Sequence, residues 1–239
     1  MVTATMVTAT RAGRAAARKS ARESAPPAPR VDRRRARTRA ALLDAGRALL
    51  AARGVDALSV DEIVAAADVA KGSFYNHFTD KEGFAREIGA IVRRQAEQLV
   101  QRANAGIEPP AERMARALAV FVRFAIEHRD GAQVLWRLNS GATMADAPVN
   151  GGLRAEIQAL EQAGELHGAD LETGVLLVMG TIVIAMRHVL EERVRTPPAT
   201  VAANTAAGML RSLGLPARRA RLLADRAARE IFGGPVLAG

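Results

Sequence analysis

The sequence of 239 residues lacks several side chains on which much protein chemistry depends. It contains no cysteine, which excludes disulfide bonds and thiolate metal sites. Three of its four histidines, His128, His167 and His188, lie in separate segments without ligand spacing, so we expect no metal site. The G-x-S-x-G and H-E-x-x-H motifs and a phosphate-binding glycine loop are absent as well. We therefore expect neither an enzyme nor a bound cofactor.

Aromatic residues and long apolar runs are also scarce. Aromatic residues make up 3% of the chain, and the longest uncharged apolar run, at 173–186, has 14 residues. A helix that spans a bilayer needs about 20 apolar residues. This run is therefore predicted to form a buried helix, and we expect a cytoplasmic protein without a membrane partner. Alanine, leucine and arginine dominate the composition, and runs of β-branched residues are few, which favours helices over strands.

Positive charge is concentrated at the N-terminus. Residues 1–40 contain 11 lysines and arginines against 2 acidic residues, whereas the remaining residues contain 23 of each kind. Residues 1–30 also include a proline-rich stretch at 26–29, so we predict a disordered basic arm that reaches along nucleic acid. Two alternatives stay open. One is a start codon placed too early, with initiation at Met6 or later, and the other is an organelle transit peptide.

Residues 58–82 carry the densest set of helix signals in the chain. Ser59 and Glu62 form an S-x-x-E capping box, which predicts that a helix begins at Val60. The buried face of this helix is predicted to consist of Ile63, Val64 and Ala67. Three helix starts in so short a span, together with a preceding helix at residues 38–54, indicate a compact helical head of the helix-turn-helix type.

A second short helix is predicted to begin at about Ala70. It places Phe74 and Phe78 four residues apart on one side, which we expect to be buried. The residues predicted to face outward are Lys71, Ser73, Tyr75 and Asn76. Thr79 and Glu82 repeat the capping signature and are predicted to open a long third helix.

These motifs, in this order and at this spacing, resemble the N-terminal DNA-binding domain of the tetracycline-repressor (TetR) family of bacterial regulators. The resemblance covers residues 37–88 and implies that the second short helix is a recognition helix. Carried over residue by residue, the implied DNA contacts are Ser59, Val60, Lys71, Gly72, Ser73, Tyr75, Asn76, His77 and Lys81. Two positions depart from the family pattern, since Asp68 stands where glycine is usual in the turn and Ala70 where a capping serine is common.

The chemistry of these side chains agrees with contact to DNA. A tyrosine hydroxyl and lysine ammonium groups can donate to phosphate oxygens, and the amide of Asn76 and hydroxyl of Ser73 match base edges in the major groove. Each has a plainer alternative. Tyr75 and His77 can be packing residues at the edge of the core, and Lys71 and Lys81 can be ordinary solvated cations.

Beyond residue 88 the pattern indicates further helices and no strand, so the predicted fold is all-α. Helices are predicted at residues 80–103, 113–127, 153–163, 171–193, 198–213 and 217–231. A short helix capped by Asp130 and a loop at residues 139–152 lie between them, and Asp170 or an adjacent residue is predicted to cap the long apolar helix at 171–193. The organisation expected is a basic arm at 1–30, a three-helix helix-turn-helix domain at 31–88, and a helical effector-binding and dimerisation domain at 89–239.

The resemblance implies a homodimeric regulator, a repressor that binds a palindromic double-stranded DNA operator and is released by a small molecule. It places the dimer interface in the helices of residues 171–213, where Gly174 and Gly180 allow close approach. Candidate ligand-binding residues are Phe121, Phe124, Trp136, Met144, Met179 and His188, any of which can instead be plain core. The alternative is an architectural DNA-binding protein without an effector, which would bind DNA with little sequence preference.

Overall fold

A computed structural model describes the backbone of residues 30–138 and 150–234. Within these residues the chain forms ten helices and no strand, which confirms the all-α prediction. They are α1 (Arg30–Arg53), α2 (Val60–Ala66), α3 (Lys71–Tyr75), α4 (Lys81–Ala103), α5 (Pro110–Glu127), α6 (Arg129–Arg137), α7 (Gly151–Gln162), α8 (Leu171–Val189), α9 (Pro198–Ser212) and α10 (Ala217–Gly233).

The chain divides into two compact units, Met1–Thr38 and Arg39–Gly239. The described part of the first unit is the start of α1, which begins at Arg30 instead of the predicted residue 38. Arginine and alanine dominate this stretch, and both favour helix even without an apolar face, so the helix extends beyond its buried positions. The predicted disorder of residues 1–30 falls almost wholly outside the described residues.

The head comprises the part of α1 in the second unit, α2, α3 and the first half of α4. Its centre is a cluster of three phenylalanines, in which the ring of Phe84 lies 5.4 Å from that of Phe74 and 4.7 Å from that of Phe78. Gly46 of α1 is packed against this cluster so closely that a β-carbon there would overlap the Phe84 ring. A glycine is therefore needed inside α1 for α4 to approach it.

Helix caps follow the predicted positions at two of the four sites. Ser59 and Glu62 form the capping box of α2, and Asp170 accepts a hydrogen bond from the Thr173 amide at 2.7 Å to start α8. The other two predictions are wrong.

α4 is capped by Asp80 in place of Thr79, because the Asp80 carboxylate accepts from the Gly83 amide and leaves Thr79 one residue outside the helix. α6 follows α5 almost directly, with His128 as its N-terminal boundary and Asp130 already in its first turn.

α5 is the central helix of the C-terminal domain and packs against α4, α6, α7, α8, α9 and α10. Its buried residues include Leu118, Val122 and Phe124, and its one deeply buried guanidinium, Arg123, pairs with Glu127 at 2.8 Å. Arg123 also donates to the carbonyl of Ile231 at the end of α10. α5 therefore holds the remaining helices of the domain together.

Several predicted boundaries in this domain are wrong. α5 begins at Pro110 and not at residue 113, and α10 ends at Gly233 and not at residue 231. α7 begins at Gly151, so Gly151 and Gly152 are helical, while residues 139–149 of the predicted loop lie outside the described residues. α8 ends at Val189 and not at residue 193, because the exposed residues 191–193 have no buried face to continue and Pro197 follows.

Candidate functional site

The turn between α2 and α3 has the geometry of a helix-turn-helix motif. Asp68 adopts a left-handed conformation with φ of 53°, so it takes the place of the usual glycine at the cost of a less favoured backbone. The amide of Val69 donates to the Val64 carbonyl at 3.0 Å and closes the turn. Ala70 begins α3 without a side-chain cap. Both departures from the family pattern are therefore accommodated.

α3 presents a polar face and buries an apolar one. Phe74 is fully buried, whereas the Tyr75 side chain is 56% exposed and no hydrogen bond of its hydroxyl is seen among the described residues. Lys71, Gly72 and Asn76 are exposed, and Ser73 and His77 are half-buried. A β-carbon at Gly72 would meet nothing within 4 Å, so the surface is open at this point.

Lys71 is held by an acidic neighbour. Its ammonium lies 2.8 Å from the carboxylate of Asp61 on α2, and this hydrogen bond and the charge of Asp61 raise the pKa of Lys71 above its ordinary value. Both side chains are exposed, so the pair is weak and the ammonium can exchange Asp61 for another anion.

Ser59 and Lys81 are engaged in the structure of the head. The Ser59 hydroxyl accepts from the Glu62 amide at 3.2 Å and donates to the Glu62 carboxylate at 2.9 Å. The hydrogen bond from the Ser59 amide, followed by those from Arg53 and the Ser59 hydroxyl, lowers the pKa of Glu62. Lys81 donates to the Leu58 carbonyl at 3.1 Å, which places its ammonium beside the start of α2.

The C-terminal domain contains a cavity of about 930 Å³, bounded by residues of α4 to α8. It is lined by three of the ligand-binding candidates, Phe121, Trp136 and Met179. Phe124 lies outside the cavity lining, in the core with its ring 5.0 Å from that of His128, and His188 lines a separate, shallower pocket on the outer side of α8. Met144 lies outside the described residues.

Polar side chains that were not singled out from the sequence also line the cavity. Arg113 pairs with Glu156 at 2.7 Å, and this hydrogen bond raises the pKa of Arg113. Arg93 and Glu97 contribute from α4, and Asn104 contributes from the position that directly follows it. The spacings of four and seven residues between these three positions could have shown from the sequence that they share one helix face. Nothing in the sequence showed that this face borders a cavity.

One wall of the cavity is joined to the head by Arg137. Its guanidinium donates to the carbonyls of Ala51 at 3.1 Å and Ala52 at 3.0 Å, in the last turn of α1. The next residue, Leu138, is packed so that a β-carbon at Gly89 of α4 would lie 3.2 Å from its side chain. The end of α6 therefore contacts the head at two points.

The outer face of α8 is apolar and uncovered. Leu176 is 42% exposed and Ile184 is 59% exposed, with Gly180 between them, whereas Val183 lines the cavity. By length and composition α8 is the one helix in the described residues that could cross a membrane, and 28% of its apolar window is buried within the chain. The predicted burial of this helix is thus only partial within a single chain.

Two family profiles match this sequence. "Bacterial regulatory proteins, tetR family" matches residues 42–88, and "Tetracyclin repressor-like, C-terminal domain" matches residues 109–226. The chain is 33% identical over 90 residues to the HTH-type transcriptional repressor DhaR of Mycobacterium sp. (strain GP1). That alignment covers 38% of this chain and 44% of the repressor, so it spans less than half of the relative's length.

Solved structures share the fold over most of the chain. The structure of RolR in complex with resorcinol matches with a TM-score of 0.55 and 25% identity, over 82% of this chain and 96% of RolR. A gamma-butyrolactone receptor (ArpA-like protein) matches with a TM-score of 0.59 and 21% identity, over 82% and 98% of the two chains. A putative tetR family transcription regulator from Shewanella sp. PV-4 has a TM-score of 0.67 at 16% identity, over 75% and 99%.

Proposed function

Since the chain belongs to the tetR family of bacterial regulatory proteins, we propose that it is a transcriptional repressor that binds a palindromic operator as a homodimer and is released by a small molecule. The observation that carries this proposal is the open polar face of α3, held on a closed aromatic core behind a turn of helix-turn-helix geometry. We expect it to act in the cytoplasm, where its DNA would be.

The α3 face fits the major groove of DNA in the manner of a recognition helix. Tyr75 can donate its hydroxyl to a phosphate oxygen, and Lys71 can exchange Asp61 for a phosphate. Ser73 and Asn76 carry the hydroxyl and amide groups that recognise base edges, and Gly72 lets the backbone come close. Ser59 and Val60 at the start of α2, His77 just after α3 and Lys81 at the start of α4 would border this contact.

The outer face of α8 is the proposed dimer interface, together with α9. Its exposed apolar residues, Leu176 and Ile184, would be covered by the same face of a second copy across a two-fold axis. Such a dimer would set two α3 helices about 34–36 Å apart, which matches successive major grooves on one side of the duplex.

The cavity is the proposed effector site, and Phe121, Trp136 and Met179 are its proposed apolar contacts. Its volume of about 930 Å³ lies within the range of small-molecule pockets. The structure of RolR with resorcinol supports a small-molecule ligand for a protein of this fold.

Helix α4 can carry the signal, because its first half packs Phe84 and Ile88 into the head while its second half lines the cavity. Arg137 gives a second connection, from the cavity wall to α1. A ligand that displaces α4 or the end of α6 would therefore move the head, and two heads that move apart no longer match the groove spacing.

The experiment that tests this proposal is selection of random DNA fragments by the purified full-length protein, followed by sequencing and measurement of the mass of the complex. The proposal requires an inverted repeat whose half-sites are one or two helical turns apart, bound by an even number of chains. Recovery of fragments with no common sequence would reject it in favour of an architectural DNA-binding protein, a function that the basic residues 1–30 also suit.

A further inference from the structure

The wall of the cavity in the C-terminal domain carries more positive than negative charge. In the part of the chain that the structure describes, four arginines line it against three glutamates. The arginines are Arg93, Arg113, Arg137 and Arg187, and the glutamates are Glu97, Glu156 and Glu191. One positive charge is therefore in excess, and its position depends on which of the arginines already have partners.

Three of the four arginines have partners. Arg113 pairs with Glu156 at 2.7 Å, and Arg187 lies 3.8 Å from Glu191. Arg137 donates instead to two backbone carbonyls in the last turn of α1, at 3.1 Å and 3.0 Å. Two of the three glutamates are thus occupied as well, and Arg93 is the arginine of the described wall that is left for a ligand.

Arg93 presents a positive charge that no carboxylate neutralises at close range. Among the described residues its guanidinium makes no ion pair or hydrogen bond, and Glu97 acts on it only through the longer-range attraction of its charge. Glu97 is exposed, so water weakens that attraction. Burial lowers the pKa of Arg93 from its ordinary value, because its charge is partly removed from water. A half-buried guanidinium of this kind is suited to an anionic group.

The position of Arg93 on α4 is fixed by the packing of its neighbours. Val92 is buried, and a β-carbon at Gly131 of α6 would lie 3.2 Å from its side chain, so α4 and α6 are in close contact here. Ile88, which packs into the head, precedes Arg93 by five positions, or about 8 Å along the helix axis. An anion bound to Arg93 would therefore act on the helix that holds the head.

Apolar residues make up the larger part of the remaining wall. They include Met114, Phe121, Val178, Ile182 and Met186. Burial of the apolar surface of a ligand against such side chains stabilises the complex. The cavity therefore presents one uncompensated positive charge in largely apolar surroundings.

We propose, on the basis of the function proposed above, that the effector is an apolar organic acid with a single carboxylate group, which pairs with Arg93. A carboxylate carries one negative charge at pH 7, which equals the excess of the wall, whereas a phosphate monoester carries nearly two. A neutral ligand would leave the charge of Arg93 uncompensated. A second acidic group would be repelled by the glutamates of the cavity.

The test compares acids with their neutral amides, so that the apolar body is the same within each pair. The pairs are octanoate and octanamide, cyclohexanecarboxylate and cyclohexanecarboxamide, and 3-phenylpropionate and 3-phenylpropionamide. Trp136 is the only tryptophan in the chain and lines the cavity, so its fluorescence reports binding to the full-length protein, with calorimetry as a second measurement. Arg93→Gln removes the charge. Arg94→Gln is its matched control, since Arg94 is exposed on the same helix and does not line the cavity.

We expect the wild-type protein to bind the acid of at least one pair at least about tenfold more tightly than its amide, the strength of a charge-assisted hydrogen bond. Arg93→Gln should abolish this preference, Arg93→Lys should keep part of it, and Arg94→Gln should leave it unchanged, with circular dichroism as the check on folding. The proposal is overturned without any variant if no acid of the panel is preferred over its amide. An equal effect of the two glutamine substitutions also overturns it.

Glu97 and a second carboxylate test the match of charge at the same site. Glu97→Gln removes the weak competitor for Arg93, so it should tighten binding of the preferred acid about twofold and leave its amide unchanged. Octanedioate should bind the wild-type protein more weakly than octanoate. Weaker binding of the acid by Glu97→Gln contradicts the pairing with Arg93, and octanedioate that binds as tightly as octanoate contradicts the single carboxylate.

Failure of the proposed function gives a different result. If the function is wrong, the selection experiment above yields no common DNA sequence, whatever the probes do. If only the ligand class is wrong, the protein binds its selected DNA with high specificity but binds no acid better than its amide. Release of the selected DNA by the preferred acid, and not by its amide, supports both. Binding of the acid without release of the DNA overturns its assignment as effector.

Discussion

The head and the C-terminal domain use their polar groups in opposite ways. In the head, Ser59 and Glu62 cap each other and Lys71 pairs with Asp61, so polar groups that border the open face of α3 are already positioned. In the C-terminal domain, the guanidinium of Arg93 lines a cavity of about 930 Å³ and makes no ion pair or hydrogen bond among the described residues.

This difference agrees with the two functions proposed for the regions, DNA recognition by the head and ligand binding by the C-terminal domain. A recognition surface must keep its shape when it meets a rigid duplex, so it benefits from satisfied groups and a closed core such as the Phe74, Phe78 and Phe84 cluster. A ligand site must gain free energy when it is filled, so it benefits from space and unsatisfied groups. Variants of the two regions should therefore fail in different ways.

The largest effect is expected from Ile184→Arg on the exposed face of α8. If this face is the dimer interface, the substitution buries a charge without a partner, splits the dimer and removes operator binding although the head is unchanged. Light scattering gives the mass, and circular dichroism checks the fold. Leu222→Arg is the matched control, because Leu222 is 64% exposed on α10, outside the proposed interface. A dimeric Ile184→Arg protein would show that the interface lies elsewhere.

A large effect on stability is expected from Gly46→Ala in the head. The new methyl group must displace the Phe84 ring, and such overpacking lowers the free energy of unfolding by about 1–3 kcal/mol. Gly72→Ala is the control in the same head, where open space should leave stability unchanged or raised by up to about 1 kcal/mol. Urea denaturation measures both, and equal effects would mean that α1 and α4 are not in the close contact described here.

A smaller effect is expected from Arg137→Met, which removes two hydrogen bonds to the end of α1. We expect a loss of stability of about 1 kcal/mol and a changed operator affinity, because the contact joins the cavity wall to the head. Arg129→Met is the matched control, since Arg129 is on the same helix and donates to the Leu190 carbonyl at 2.9 Å, away from the head. Identical operator affinities in the two variants would show that Arg137 does not couple the cavity to the head.

The smallest effects are expected on the recognition helix itself. Tyr75→Phe removes one neutral hydrogen bond and should weaken operator binding about twofold to tenfold, without a change in its salt dependence. Lys71→Ala should weaken binding and also reduce the slope of log affinity against log salt by about one unit. Fluorescence anisotropy over a range of salt concentrations distinguishes the effects of the two substitutions. If Lys71→Ala leaves the slope unchanged, Lys71 does not contact a phosphate.

The sequence was most informative where structure depends on neighbouring residues. The capping box of Ser59 and Glu62 and the cap Asp170 were both identified, because each acts through bonds to residues within a few positions. Local signals fail when two residues compete for one cap, as Thr79 and Asp80 do at the start of α4. A carboxylate one residue later made the bond that the threonine was predicted to make.

The cavity could not be read from the sequence in the same way. Arg93 and Asn104 line this cavity only because helices α5 to α8, which are distant in the chain, leave a space beside α4. Phe121 and Phe124 were both candidate ligand-binding residues, but the sequence did not show that Phe121 lines the cavity and Phe124 lies in the core. That distinction depends on how all the helices pack.

The most direct test of the central claim is the ratio of specific to non-specific DNA affinity. Fluorescence anisotropy at physiological salt should give dissociation constants for the selected inverted repeat and for a scrambled duplex of the same length and composition. The account predicts that the repeat binds at least about a thousandfold more tightly, as expected for a sequence-specific regulator. A ratio near one, with tight binding to both duplexes, would contradict it and indicate an architectural DNA-binding protein.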